Sequence, residues 1–282
     1  MTNDYGNLEL HKILFSAMKD IDKICRENNL RYYIYAGTLL GAMNYGGFIP
    51  WDDDIDIVMF ESDFLKFCTI MEQIYKDIYK VVTYDNTPEW YSKMSKIQIL
   101  GAHFIYNNQT ETPIFIDISV LHSVPDSKIA RFIQRKQVEY YNLALGVLAG
   151  EIIPTSWKAK YTIGIASKMG KERLGKKIDR IISKYDKKHT IWVGIMCNTL
   201  TNNPYTGVSG YDNDCTKRIW HENPISVLFE GEEFMTISNP ELDLERRYGP
   251  KWNEVYPEEK RITKHDVKSY IISPKVRERV GL

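Results

Sequence analysis

Four aspartates fall within five positions, at Asp52, Asp53, Asp54 and Asp56, directly after Gly47-Phe48-Ile49-Pro50-Trp51. Ile55, Ile57 and Met59 continue on a two-residue period, which predicts a β-strand. Asp54 and Asp56 then share one face, while Ile55 and Ile57 point the other way into a core. Two carboxylates held that close disfavour one another unless a cation sits between them. Hard divalent ions such as Mg2+ take carboxylate oxygens and keep water ligands that substrate phosphates can replace. The Asp-x-Asp pair is therefore a candidate metal site. Short Asp-x-Asp strings also occur in surface loops, but the apolar neighbours speak for burial, and buried acids need partners.

A glycine-bearing turn lies just upstream. Gly37-Thr38 follows the run from Leu30 to Ala36, which reads as a strand. Glycine lets backbone N–H groups approach an anion, and a helix N-terminus favours negative charge. The string GTLLGA is expected to open a short helix with Gly37 and Thr38 at its phosphate-facing end. Further along, PIFIDISVL places Asp117 between Ile116 and Ile118. A lone acid in an apolar strand is costly unless paired or metal-bound, so Asp117 is the candidate third carboxylate. A loop-capping role is its alternative. In YSKMSKIQ, Lys93 and Lys96 could meet a phosphate, with solvated surface as the competing reading. Of the two, we assign the phosphate contact to Lys93. Asp52 and Asp53 are expected to bond the turn around Trp51 or to order the ligands. His103, in the apolar run LGAHFIY, reads as a satisfied core residue.

The elements that must position these groups follow from periodicity. Leu10, Ile13, Leu14, Ala17, Met18, Ile21, Ile24 and Cys25 form one stripe and predict a helix over 8–28, closed by Asn28-Asn29. A second helix is expected over 61–75, then strands at 78–84, 91–106 and 114–120. Helices at 126–149, 155–169 and 171–187 are punctuated by Pro154 and Gly170. Residues 191–197 read as a strand. Phe229-Glu230-Gly231 belongs to a hairpin whose turn we place at Glu232-Glu233, and Pro240 starts a helix that Gly249 ends. The domain division expected is 1–125 plus 189–282, with 126–188 as a separate basic helical unit. Between Lys128 and Lys188 there are fifteen Lys or Arg against five acids, whereas the whole chain of 282 residues sums to zero. YNLALGVLAGEIIP leads into Lys158 and Lys160 there, a pairing that could meet an anionic membrane surface or a polyanionic acceptor. A helical unit with an apolar core and a wet basic rim fits equally well. Nucleic acid fits worse, because no basic motif interleaved with aromatics is present.

Composition is that of a soluble globular protein, 43% hydrophobic and 26% charged. Cys25, Cys68, Cys197 and Cys215 have no Cys-x-x-Cys spacing; they suggest neither a zinc knuckle nor a disulfide framework and suit a reducing cytoplasm. The N-terminus does not read as a signal peptide, and no run reaches the ~18 apolar residues of a spanning helix.

Gly37-Thr38-Leu39-Leu40-Gly41-Ala42, then Gly47-Phe48-Ile49-Pro50-Trp51-Asp52-Asp53-Asp54-Ile55-Asp56, closely resembles the signature of LicD-type proteins. These are bacterial enzymes of phosphocholine transfer to surface polysaccharide and teichoic acid, related to the eukaryotic fukutin proteins. The resemblance covers residues 8–120 and 215–252, and is densest over 30–60. Thr38 stands where the wider superfamily has Gly-Ser or Gly-Gly, as the LicD resemblance implies; the resemblance departs after Asp117, where Ser119-Val120-Leu121 stands for the usual Phe-Pro-Leu. It implies an α+β fold: a nucleotidyltransferase-type mixed sheet with flanking helices and a helical insertion. It also implies that Asp54, Asp56 and Asp117 hold one or two Mg2+ or Mn2+ ions against the diphosphate of a nucleotide-linked donor. The Gly37-Thr38 turn would hold the phosphates, and Asp117 would orient and deprotonate the acceptor hydroxyl. CDP-choline is the implied donor, with CDP-ribitol or CDP-glycerol as rivals. A saccharide or lipid-linked glycan is the implied acceptor, met in the cytoplasm or at the inner face of the membrane. Trp90 or Tyr91 is assigned to a choline cage, since a quaternary ammonium seeks ring faces, and Trp51 to bracing the turn. Two other classes stay open: a nucleotidyltransferase that releases pyrophosphate, and a non-catalytic scaffold in surface-polymer assembly.

Overall fold

The structure is a computed structural model and describes residues 5–197, 199–254, 257–258, 261 and 267–282. It is an α+β, nucleotidyltransferase-like fold in which a mixed β-sheet is flanked by helices and carries an inserted helical region. Packing divides the chain into two compact units, residues 1–81, 96–118 and 224–282 in one and 82–95 with 119–223 in the other. The basic segment 126–188 falls inside the second unit, which also takes in 82–95, 119–125 and 189–223.

In the first unit, α1 (Leu8–Glu27) buries the stripe read from its periodicity, Leu10 to Cys25. Asn29 ends it in the left-handed region, φ 54°, and the Leu30 N–H reaches back to the Cys25 carbonyl. β1 (Tyr32–Ile34) follows, fully buried, then α2 (Ala36–Tyr45), closed by Gly46 at φ 68°. β2 (Asp56–Phe60) pairs antiparallel with β1, Tyr33 opposite Val58. α3 (Glu61–Ile74) starts with Glu61 and Asp63 in its first turn, where carboxylates suit the helix dipole. The sheet runs β1-β2-β5-β4-β10, with β3 (Tyr79–Val82) on β4, built from β4 (Ser95–Tyr106), β5 (Glu111–Val124) and β10 (Val267–Ile272).

The second unit contains α4 (Lys128–Leu148) and α5 (Trp157–Ile182). Ser127 and Ser156 cap them, accepting from the N–H groups of Ala130 and Ala159. Gly170, with φ 70° and ψ 169°, breaks α5 where the sequence places a boundary. Val138, Leu145, Ala166, Leu174 and Ile178 share a core with Val124 of β5. The second half of β5 pairs with β6 (Trp192–Ile195), and β6 with β7 (Cys215–Lys217). Short helices α6 (Gly210–Asn213) and α7 (Arg218–Glu222) flank β7.

Back in the first unit, β8 (Ile225–Phe229) and β9 (Glu232–Thr236) form a separate hairpin, followed by α8 (Pro240–Tyr248). α9 (Pro274–Val280) follows β10. Two readings need correction. The hairpin turn is Glu230-Gly231, both at positive φ (52° and 82°), not Glu232-Glu233, which lie in β9. Two central residues at positive φ give the twist that joins strands most tightly, and Gly231 meets that need. His103 is half-buried, not core, and sits 3.3 Å from Glu111 across the β4–β5 hairpin. Of the two readings of the apolar stretch 141–150, α4 follows the one with an apolar core: Asn142, Ala144, Leu145 and Gly146 are buried.

Candidate metal centre

Asp56 opens β2 and Asp54 precedes it by two residues, with Ile55 and Ile57 buried on the other side. β5 lies beside β2, and the Asp117 N–H donates to the Ile55 carbonyl at 2.9 Å, which fixes the register of the third acid against the first two. One carboxylate oxygen from each of Asp54, Asp56 and Asp117 lies within 4.8 Å of the others. Asp54 and Asp117 are buried and Asp56 is half-buried. The structure thus brings the three acids together. An all-oxygen, dianionic-or-greater donor set of this size fits a hard divalent cation. Asp52, Asp53 and Asp54 form a second group of the same dimensions.

Lys96 is the member that periodicity did not select. Its ammonium lies 2.8 Å from Asp117 Oδ1 and 3.0 Å from the centroid of the Phe115 ring. Burial pushes its pKa down, while Asp117, Asp54 and Asp56 push it back up, and burial prevails. Lys93, the lysine chosen from sequence, belongs to the second unit; its ammonium is 2.6 Å from Asp179 and 4.0 Å from the Tyr84 ring. β4 begins only at Ser95, so Lys93 stands outside the strand that presents Lys96.

The turn assigned to phosphate lies at the start of α2. Gly37 and Thr38 are its second and third residues, both buried. Thr38 Oγ1 accepts from the Asp56 N–H at 2.8 Å, tying the turn to the acid-bearing strand, and the Tyr35 N–H donates to the Asp56 carbonyl. Ala36, just before Gly37, has φ 45°, a strained value for a residue with a Cβ. Tyr35 in turn carries the Arg247 guanidinium at 3.9 Å from its ring centre, and Arg247 Nε donates to Asp243 Oδ2 at 2.8 Å. Burial lowers the Arg247 pKa to about 9 and raises that of Asp243.

The loop between α2 and β2 is held from several sides. An ideal Cβ on Gly41 would stand 2.4 Å from the Gly47 carbonyl oxygen, so this close approach requires glycine. Glu230 of the hairpin turn accepts from the Phe48 N–H at 3.0 Å and donates its own N–H to the Gly46 carbonyl. The Asp52 carbonyl accepts from Asn7 Nδ2 at 3.2 Å and bonds His11 Nε2 at 2.8 Å, and the His11 ring stacks on Phe48. Asn7 and His11 had no signal in the sequence, because their partner is more than forty residues away. Trp51 meets Tyr5 and Tyr45 edge-on at 5.6 and 5.9 Å. Trp90 and Tyr91 lie in the second unit; the Trp90 indole N–H donates to the Met94 carbonyl, and Lys171 stands 5.2 Å from the Tyr91 ring centre.

The family described as LicD/FKTN/FKRP, nucleotidyltransferase domain, matches residues 29–142, which include the three acids, Lys96 and the Gly37-Thr38 turn. The chain carries a LicD-family nucleotidyltransferase domain. Among relatives, it is similar to the lipopolysaccharide cholinephosphotransferase LicD of Haemophilus influenzae, 22% identical over 252 residues, 88% of this chain and 92% of that protein. An uncharacterized protein of Rickettsia prowazekii is 34% identical over 100 residues, 34% of this chain and 37% of its own length. One of Rickettsia typhi is 40% identical over 68 residues, 24% of this chain and 22% of its own. A LicD-family domain with clustered buried acids suits metal-assisted transfer of the nucleotidyl or phosphoryl type.

Proposed function

We propose that this protein transfers phosphocholine from CDP-choline to a saccharide hydroxyl of a cell-surface polysaccharide or teichoic acid precursor and releases CMP. The observation that carries the reading is the convergence of Asp54, Asp56 and Asp117, with Lys96, inside a LicD-family domain. The choline part is supported by the name of the Haemophilus relative. Asp54, Asp56 and Asp117 would hold Mg2+ or Mn2+, which when bound supplies positive charge to the donor diphosphate and its leaving phosphate.

The chain's own groups do the rest. N–H groups at the start of α2, around Gly37 and Thr38, hold phosphate oxygens. The Lys96 ammonium neutralises charge on the transferring group. Asp117 orients the acceptor hydroxyl and takes its proton as the oxygen attacks the phosphorus bearing choline. The bond from that phosphorus to the bridging oxygen breaks, and CMP leaves with the electron pair. Trp90 or Tyr91 would serve the quaternary ammonium, which has no N–H to donate and gains from a ring face; the Tyr91 ring centre already lies 5.2 Å from the Lys171 ammonium.

Parallel assays with CDP-choline, CDP-ribitol and CDP-glycerol, each with a saccharide acceptor, test this. CMP release and a phosphocholine ester are expected with CDP-choline only, and only with Mg2+ or Mn2+. Asp54→Asn with Asp56→Asn should abolish both turnover and calorimetric metal binding. Turnover of a polyol donor alone would refute choline and leave the metal-dependent transferase. Pyrophosphate release from a nucleoside triphosphate would replace the reaction. Intact ligand binding with no turnover of any donor would favour the scaffold.

A further inference from the structure

The N-terminal part of α5 shows water a face that a folded domain normally hides. Ile153, just before the helix, is 83% exposed, Trp157 74% and Tyr161 68%. Trp157, Lys160, Tyr161, Gly164 and Lys168 recur at helical spacing and are all exposed, while Ala159, Thr162 and Ala166 on the opposite face are buried. Ala166 joins the core beneath, and the two exposed rings take no part in it. Lys158 is exposed beside them, its ammonium 5.8 Å from the Trp157 ring centre. From Ile152 to Lys171 there are four lysines and no acid.

We infer that this stripe docks on the surface of an anionic lipid bilayer. Indole and phenol rings gain most at the boundary between headgroups and acyl chains, where their apolar bodies leave water and their N–H or O–H stays wet. Lysines on the same stripe reach headgroup phosphates while their stems cover apolar surface. Between Ile152 and Lys171, bounded by Glu151 and Glu172, no acid opposes an anionic surface. Among the described residues no helix is long and apolar enough to cross a membrane, so the contact is one of lying on the surface rather than spanning it. The docking does not depend on which donor or acceptor is used, and is measured without turnover.

The test is flotation of the full chain with vesicles of phosphatidylglycerol and phosphatidylcholine in equal parts, against phosphatidylcholine alone. Binding to the anionic vesicles is expected, weakening as salt is raised. Neutralising Lys158, Lys160 and Lys168 to Gln should lower the partition coefficient by about fivefold per lysine on anionic vesicles. Trp157→Ser with Tyr161→Ser should lower it by about tenfold or more. All five positions are exposed, so the variants should keep the far-UV spectrum of the parent. Phe132→Ser with Ile133→Ser is the control, since these residues are also exposed but lie near the start of α4; its binding should match the parent. Failure of the parent to float, equal floating of the α5 variants, or equal loss in the control would overturn the inference. A dimer in sedimentation that Trp157→Ser dissolves, with vesicle binding unchanged, would assign the stripe to a second copy of the chain instead.

Discussion

In the proposed reaction three acids and one lysine carry the chemistry, and the lysine is the residue whose role is open to the sharpest test. Lys96 sits 2.8 Å from Asp117, so it both balances one carboxylate and competes with any cation the acids bind. Replacing it with Met removes a unit positive charge from beside the ligands. Mg2+ affinity, read by calorimetry, should then rise by about tenfold, the effect of one close charge of the same sign. Turnover should fall at the same time, because the ammonium is lost from the transferring phosphoryl group. Tighter metal with undiminished kcat would make Lys96 only a resident counter-ion. Neither change would be expected at Lys93, which is spent on Asp179.

At the scale of elements, the loop that delivers the acids depends on a distant hairpin. Glu230 reaches the Phe48 N–H, and a Cβ on Gly47 would stand 2.0 Å from Glu230 Oε1. Gly47→Ala should swing that carboxylate away. The cost expected is about 1–3 kcal/mol, that of a hydrogen bond to a charged group. Glu230→Ala should cost a similar amount, and the double variant little more than either single one. Full additivity in denaturant melts would show that the two do not act through the same bond. In the second unit, Asp186 ties the chain after α5 to β5, accepting from the Ser123 N–H at 2.6 Å and bonding His122 Nδ1 at 2.8 Å. Burial pushes its pKa up, but the bonds to His122 and Ser123 outweigh burial and hold it below the ordinary value. A depressed folded-state pKa adds stability above the unfolded value, near 3.9, and that stability is lost as pH falls through the folded one. Asp186→Asn should therefore melt earlier than the parent at pH 7, and the gap should narrow as pH falls below the ordinary carboxylate range.

For the whole molecule, ligand linkage gives a measurement independent of catalysis. Anything that binds the folded chain and not the unfolded one stabilises it by mass action. Mg2+ at a hundred times its Kd should add about 2.7 kcal/mol to the unfolding free energy. The increment should vanish in the Asp54→Asn, Asp56→Asn double variant, and survive in the α5 variants that lose vesicle binding. An equal rise of Tm in the double variant would place the bound ion elsewhere.

Much of the fold is legible in the chain because strand and helix periods are local. The spacing of Asp54 and Asp56 against Ile55 and Ile57 predicts a two-faced strand, and the stripe from Leu10 to Cys25 predicts α1 within a residue at each end. Asp117 stands out because an acid between isoleucines has few affordable explanations. What periodicity could not decide was which groups meet. Lys93 and Lys96 look alike in sequence, and only the start of β4 at Ser95 and its pairing beside β5 put Lys96 against Asp117. Asn7 and His11 read as ordinary residues at the start of a helix until Asp52 is packed against them. β10 carries little signal because its partner, β4, lies about 160 residues earlier and an edge strand with no fully buried residue shows no clear two-residue period. The apolar stretch 141–150 and the rings of Trp157 and Tyr161 carry the same hydrophobic signal in the sequence. Packing of α4 and α5 spends the first on a core and leaves the second in water. Burial is a property of the neighbours a side chain acquires, and those neighbours are fixed only when the chain has folded.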